Sequence, residues 1–124
     1  MTSILIVDDH DGVRRAIRSL LESANPEALI GEATTVAGAI DRMIERTWTV
    51  AVVDLSLPDG SGLDLIRDFT TVCPGTTVIV VSGMAGAHYG PAAVRAGARA
   101  FVAKQDIGDS LVTTVREAIE GSQG

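Results

Sequence analysis

The chain has 124 residues, 46% of them hydrophobic, enough for one domain with a real core and too few for two of ordinary size. Ten basic against sixteen acidic residues leave a formal charge of −6 and a pI near 4.7, which argues against direct binding of nucleic acid or of acidic membranes. Cys73 has no partner for an internal disulfide, no leader-like segment opens the sequence and no apolar run reaches membrane-spanning length. A cytoplasmic setting is therefore expected, with Cys73 as a packing residue.

The first apolar run, Ile4-Leu5-Ile6-Val7, leads straight into Asp8-Asp9. Val13, Ile17, Leu20 and Leu21 then recur at helical spacing and predict a helix over Asp11 to Ser23, with Arg14, Arg15 and Arg18 facing solvent. Asn25-Pro26 ends that helix, and Ala28 to Ala33 is expected as a second strand, from its position as much as its pattern. Val36, Ile40, Met43 and Ile44 mark a second helix, after which Val50-Ala51-Val52-Val53 runs into Asp54. The turn-rich Leu57-Pro58-Asp59-Gly60-Ser61-Gly62 precedes a third helix with Leu63, Ile66 and Phe69 on one face, closed by Cys73-Pro74-Gly75.

Val78-Ile79-Val80-Val81 forms the next run and ends in Ser82-Gly83. Met84 to Gly90 has little periodicity and is expected to be mobile. Pro91 can start a helix but not continue one, which limits the fourth helix to Pro91 through Ala96, with Gly97 as its stop. Phe101-Val102-Ala103 ends the last strand, begun at Ala100, and leads into Lys104; Leu111, Val112, Val115 and Ile119 predict a final helix with Asp109 as N-cap. Residues 1–121 are expected to form the domain, and 122–124 a tail or the start of a linker.

Short continuous apolar runs separated by amphipathic segments predict an α/β fold, a doubly wound five-stranded parallel sheet with helices on both faces. Right-handed crossovers give the flavodoxin-like order 2-1-3-4-5, which sets the first and third strands side by side at the topological switch point. Asp8, Asp9 and Asp54 then meet at one sheet edge with Ser82 and Lys104 nearby. Each residue alone could end a strand, cap a helix or form a turn. Together, three crowded carboxylates call for a compensating cation, and hard oxygen donors favour Mg²⁺. An ionised Asp54 could attack phosphorus without a general base, while Lys104 and Ser82 neutralise and position the phosphoryl oxygens. His10 and His88 have no such support and are expected as surface residues.

From Ile4-Leu5-Ile6-Val7-Asp8-Asp9-His10 through Val53-Asp54-Leu55-Ser56-Leu57-Pro58-Asp59-Gly60 and Ser82-Gly83 to Ala96-Gly97-Ala98 and Phe101-Val102-Ala103-Lys104, the chain resembles the receiver domains of two-component response regulators. The Asp-Asp-His opening, Ile30-Gly31-Glu32-Ala33 and Lys104-Gln105-Asp106 are most similar to receivers that precede a LuxR-type helix-turn-helix. The resemblance implies that Asp54 is the phosphoacceptor for a sensor histidine kinase and that Asp9, Asp54 and the Ser56 carbonyl bind Mg²⁺, with Asp8 acting through water. It implies that Ser82 is the moving hydroxyl, Phe101 the aromatic switch and Lys104 the partner of the phosphoryl group. The output surface would comprise helix four, strand five and helix five, serving transcription control through a domain outside these residues and a phosphorylation-dependent homodimer. Such a module is a switch with slow self-catalysed phosphorylation and hydrolysis rather than a dedicated enzyme. Ser56 argues against a haloacid-dehalogenase-like phosphohydrolase, which needs an acidic residue there; a phosphorylation-independent binding module remains the alternative.

Overall fold

The computed structural model describes the backbone of residues 1–83 and 86–123 and the side chains of residues 1–83 and 90–121. Strands β1 (Ser3–Val7), β2 (Leu29–Ala33), β3 (Val50–Val53), β4 (Thr77–Ser82) and β5 (Ala100–Ala103) alternate with helices α1 (Asp11–Ala24), α2 (Val36–Glu45), α3 (Gly62–Val72), α4 (Gly86–Ala96) and α5 (Val112–Gln123). The five strands form one parallel sheet in the order β2-β1-β3-β4-β5, the expected doubly wound arrangement. A short antiparallel ladder pairs Ser56–Leu57 with Gly60–Ser61 inside the turn-rich segment after β3.

Strand side chains alternate between faces, so an all-apolar run feeds two cores. Leu5, Val7, Ala51, Val53, Val78 and Val80 pack under α2, α3 and α4 with Met43, Leu65, Ile66, Phe69, Ala93 and Ala96. Ile4, Ile6, Val50, Val52, Ile79 and Val81 pack on the other side with Ile17 and Leu21 of α1 and with Val115, Ala118 and Ile119 of α5. β2 pairs only with β1 and is half-buried over four of its five residues, which is why its apolar pattern is faint.

Several expectations need correction. α4 starts at Gly86 and carries Pro91 inside it. Proline removes one intrahelical donor and crowds the preceding residue, but that residue is Gly90, which has no Cβ to clash with the ring. Buried Ala93 and Ala96 hold the helix on the core shared with α3. Of the segment expected to be mobile, residues 84 and 85 lie outside the described residues. Gly97 ends α4 as expected: its φ is +123°, and its N–H and that of Ala98 both donate to Ala93 O, at 3.2 and 2.9 Å.

Ile44 is 77% exposed, so the apolar stripe of α2 runs through Ala39 and Met43 instead. α3 buries Leu65 with Ile66 and Phe69, leaving Leu63 only half-buried. Asp109 caps no helix. It lies in a π-helical turn (Ile107–Leu111) that joins a 3₁₀ turn (Lys104–Asp106) directly to α5, with Ile107 and Leu111 buried beneath it.

Candidate functional site

β1 and β3 pair with Val7 opposite Val53, so Asp8 and Asp54 leave adjacent strands at the same height. Their backbones continue the ladder, Asp8 N–H donating to Ala33 O at 3.1 Å and Asp54 N–H to Val7 O at 2.9 Å. Both side chains are only 2% exposed, whereas Asp9, one residue further out, is 35% exposed. β5 delivers Lys104 to the same edge: its Nζ stands 3.1 Å from Asp54 Oδ2 and 3.6 Å from Asp8 Oδ2. The Ser56 N–H donates to Asp54 Oδ1 at 3.1 Å, folding the following loop back over the carboxylate.

Burial pushes the Asp54 carboxyl above the usual range, and neighbouring Asp8 adds to that. The Ser56 N–H and the Lys104 ammonium oppose the shift. Asp8 Oδ1 accepts from the His10 N–H at 2.8 Å, but buried Asp8 Oδ2 accepts no hydrogen bond. A buried carboxylate oxygen with a single ammonium at 3.6 Å suits a hard divalent cation. Ligand atoms of Asp8, Asp9, His10 and Asp54 all lie within 4.8 Å of one another, so this group could bind a metal.

His10 is a surface residue as expected, 55% exposed, but it also touches the carboxylate cluster. It is the N-cap of α1 but makes no side-chain capping bond. Its Nδ1 instead lies 3.1 Å from Asp8 Oδ1, 3.2 Å from Asp9 Oδ1 and 3.5 Å from Asp54 Oδ2. The sequence signal was its place directly after Asp8-Asp9, at a strand-to-helix junction where the cap rotates back over the strand end. Arg14, expected to face solvent, has a side chain only 14% exposed, which donates to Asp8 O at 3.0 Å and to Glu32 at 2.8 Å. It thereby ties α1 and β2 to the strand end that carries the cluster.

Ser82 is buried as the last residue of β4, opposite Ala103 and hence beside Lys104 in the sheet. Phe101 pairs with Val80, deeper in the sheet, and is half-buried against the core of α2, α3 and α4; it does not belong to the carboxylate cluster. Asp59, expected only as a turn residue, caps α2 across the loop: Val36 N–H donates to its Oδ1 at 2.7 Å and Ala37 N–H to its Oδ2 at 3.1 Å. Those two bonds hold the Asp59 carboxyl below its usual value. At the base of the loop, Gly62 N–H donates to Leu55 O at 3.1 Å, a close approach that leaves no room for a side chain.

The chain matches the family model described as the response regulator receiver domain over residues 4–116. It is 35% identical over 122 residues to the DNA-binding transcriptional activator DevR/DosR of Mycobacterium tuberculosis, a match that covers 98% of this chain and 56% of that protein. The chain thus spans little more than half of that relative's length. It is 30% identical to the chemotaxis protein CheY of Thermotoga maritima, covering 82% of this chain and 83% of that one. Among solved structures, a two-component response regulator of the LuxR family from Aurantimonas sp. superposes with a TM-score of 0.88 at 28% identity, covering 98% of this chain and 87% of that one. A CheY-like receiver domain protein from Methanospirillum hungatei shares the fold with a TM-score of 0.90 at 24% identity, covering 99% and 97% of the two chains. Among the described residues, no helix is long and apolar enough to cross a membrane. With the flavodoxin-like strand order, the acidic edge at its switch point and the family match pointing the same way, this chain belongs to the response regulator receiver domains of two-component signalling.

Proposed function

We propose that this chain is a phosphorylation-controlled switch with Asp54 as its phosphoacceptor. The observation that carries the reading is the environment of that carboxylate: buried, beside the orphaned Asp8 Oδ2, with Lys104 Nζ at 3.1 Å and the Ser56 N–H at 3.1 Å. An Asp54 oxygen attacks the phosphorus of a phosphohistidine on a sensor histidine kinase. The O–P bond forms as the P–N bond breaks, and the imidazole leaves with the electron pair and takes up a proton. Lys104 neutralises a phosphoryl oxygen, and the Ser82 hydroxyl, at the end of the neighbouring strand, closes onto another. Asp8, Asp9, Asp54 and the Ser56 carbonyl would hold Mg²⁺, which when bound supplies charge neutralisation at the transferring group.

Closure of Ser82 draws Phe101 inward and re-forms the surface of α4, β5 and α5. We further assign the chain a cytoplasmic setting, a phosphorylation-dependent homodimer through that surface, and control of transcription through a domain other than this one, without direct nucleic-acid contact by these residues. Slow self-catalysed phosphorylation and hydrolysis accompany the switch.

The test is the intact-protein mass after incubation with acetyl phosphate and Mg²⁺, for wild type and Asp54→Asn. One added phosphoryl group that requires both Asp54 and the metal is the expected result. No adduct, together with no binding of beryllofluoride, would overturn the reading in favour of a phosphorylation-independent module.

A further inference from the structure

The ladder between β1 and β2 runs from Leu29 N–H on Thr2 O to Asp8 N–H on Ala33 O, and its two-residue period would next bring Thr35 N–H to Asp8 O. Thr35 turns off the strand at that point and becomes the N-cap of α2, its side chain accepting from Gly38 N–H at 2.9 Å. Arg14 supplies a donor in its place: Nη1 donates to Asp8 O at 3.0 Å. The other two nitrogens of the fork go elsewhere, Nε to Glu32 Oε1 of β2 at 2.8 Å and Nη2 to Asp11 Oδ1 in the first turn of α1 at 2.7 Å. Glu32 is itself fixed from its other oxygen, Oε2 accepting from Arg18 Nη1 at 2.6 Å. All three guanidinium nitrogens thus fasten separate pieces of chain at the end of β1.

We propose that Arg14 is a positioning residue for phosphoryl uptake: its guanidinium sets the plane of the Asp8-Asp9 peptide and thereby the direction in which the Asp9 carboxylate leaves the backbone. The inference rests on the reading of Asp54 as phosphoacceptor with Asp8 and Asp9 beside it, and it adds what orients Asp9. Asp8 is buried and takes its direction from the sheet, whereas Asp9 lies past the last ladder bond with its side chain 35% exposed, so its direction is left to the backbone. Rotating the Asp8-Asp9 peptide swings the Cα–Cβ bond of Asp9 with it, and a misplacement of about 1 Å is enough to slow a positioned reaction steeply. An arginine is required because three donors must point three ways in one plane. A lysine ammonium there would be drawn to the Glu32 and Asp11 carboxylates and abandon the neutral carbonyl. Charge is not the contribution, since Arg14 and Arg18 face Asp11, Glu22 and Glu32 at 2.6–3.1 Å and are offset by them.

The test compares wild type, Arg14→Lys and Glu32→Gln, with Arg15→Lys at an exposed position of α1 as the control. Each is followed by thermal unfolding, by calorimetric titration with Mg²⁺, and by the initial rate of mass gain from acetyl phosphate as Mg²⁺ is varied. Arg14→Lys keeps the charge and most of the stem, and is expected to weaken Mg²⁺ binding about tenfold and to raise the half-saturating Mg²⁺ for phosphorylation by the same factor. Its rate at saturating Mg²⁺ should stay within about threefold of wild type, because the phosphoacceptor itself is untouched. In the metal-free protein the amide resonances of Asp9 and His10 should move. Glu32→Gln keeps the fork but loosens its seat, and should lose about threefold in the same direction; it decides the case if Arg14→Lys does not fold. A merely structural brace would lower Tm and leave the Mg²⁺ affinity, the half-saturation point and those two resonances unmoved in the folded protein, and that result overturns the inference. A wild-type chain that takes up neither Mg²⁺ nor phosphoryl refutes the phosphoacceptor reading instead.

Discussion

Replacing Gly62 with alanine tests whether the seating of α3 against β3 positions the phosphoacceptor. The new methyl carbon would lie 2.6 Å from Asp54 O and from Leu55 Cα, and 3.0 Å from Leu55 O. All three are backbone atoms, so no side chain can swing aside. Restoring ordinary contact requires a displacement of about 0.8 Å, taken up by α3 lifting or by the end of β3 moving. Overpacking of this kind costs about 1–3 kcal/mol, and the helical preference of alanine returns little at the first residue of a helix. For a domain of this size that corresponds to a fall in Tm of roughly 4–12 °C. A similar movement of Asp54 would carry its Oδ2 out of hydrogen-bond reach of Lys104, now 3.1 Å away, and slow phosphoryl uptake by roughly tenfold to a hundredfold. Circular-dichroism melting and the initial rate of mass gain from acetyl phosphate measure both effects. Gly12→Ala is the control, since an added Cβ there meets nothing within 4 Å. A Gly62→Ala protein that melts with wild type and accepts phosphoryl at the wild-type rate would refute the reasoning.

Asp59→Asn should lower thermal stability at neutral pH by weakening the cap on α2. Because the Asp59 carboxyl is held below its ordinary value of 3.8, its contribution is present above that value and lost as pH falls through the depressed one. The melting curves of variant and wild type should therefore converge in acid; a constant gap down to low pH would contradict the cap. Lys104→Ala should still gain a phosphoryl group but fail to shift the amide resonances around Phe101, and a full wild-type response would remove Lys104 from the switch. Phe69→Ala should cost about 3–5 kcal/mol in urea denaturation, since Phe69 is fully buried at the centre of the α3 face; a loss below 1 kcal/mol would mean that the site collapses around the gap.

Much of the architecture was legible because a parallel sheet buried on both faces writes itself as uninterrupted apolar runs. Val50–Val53 and Thr77–Ser82 were read nearly to the residue for that reason. β2 was fainter because an edge strand needs less apolar surface, and Glu32 within it serves Arg14 and Arg18 rather than the core. The helices were misread where tertiary contacts overrode local rules. Pro91 sits inside α4 because the residue before it lacks a Cβ, and Ile44, apolar and in phase with Ile40, turned out to face solvent. Within the site, the strand-end carboxylates and Lys104 could be found from position alone. Arg14 and Asp59 could not, since each depends on a side-chain direction or on a bond across a loop that spacing does not encode, whereas His10 was marked by its place directly after Asp8-Asp9.

The segment after Lys104 carries a mechanical consequence. From Lys104 to Gln123 the backbone is helical throughout, passing from 3₁₀ to π to α winding with no coil between them. A loop would absorb a tug on the lysine as slack. This segment has none in its backbone, and would answer a shift of that backbone by rewinding, because the loose and tight turns differ only in which carbonyl each N–H selects. A displacement of the Lys104 backbone would thus pass into α5 as a change of winding rather than be lost in a coil.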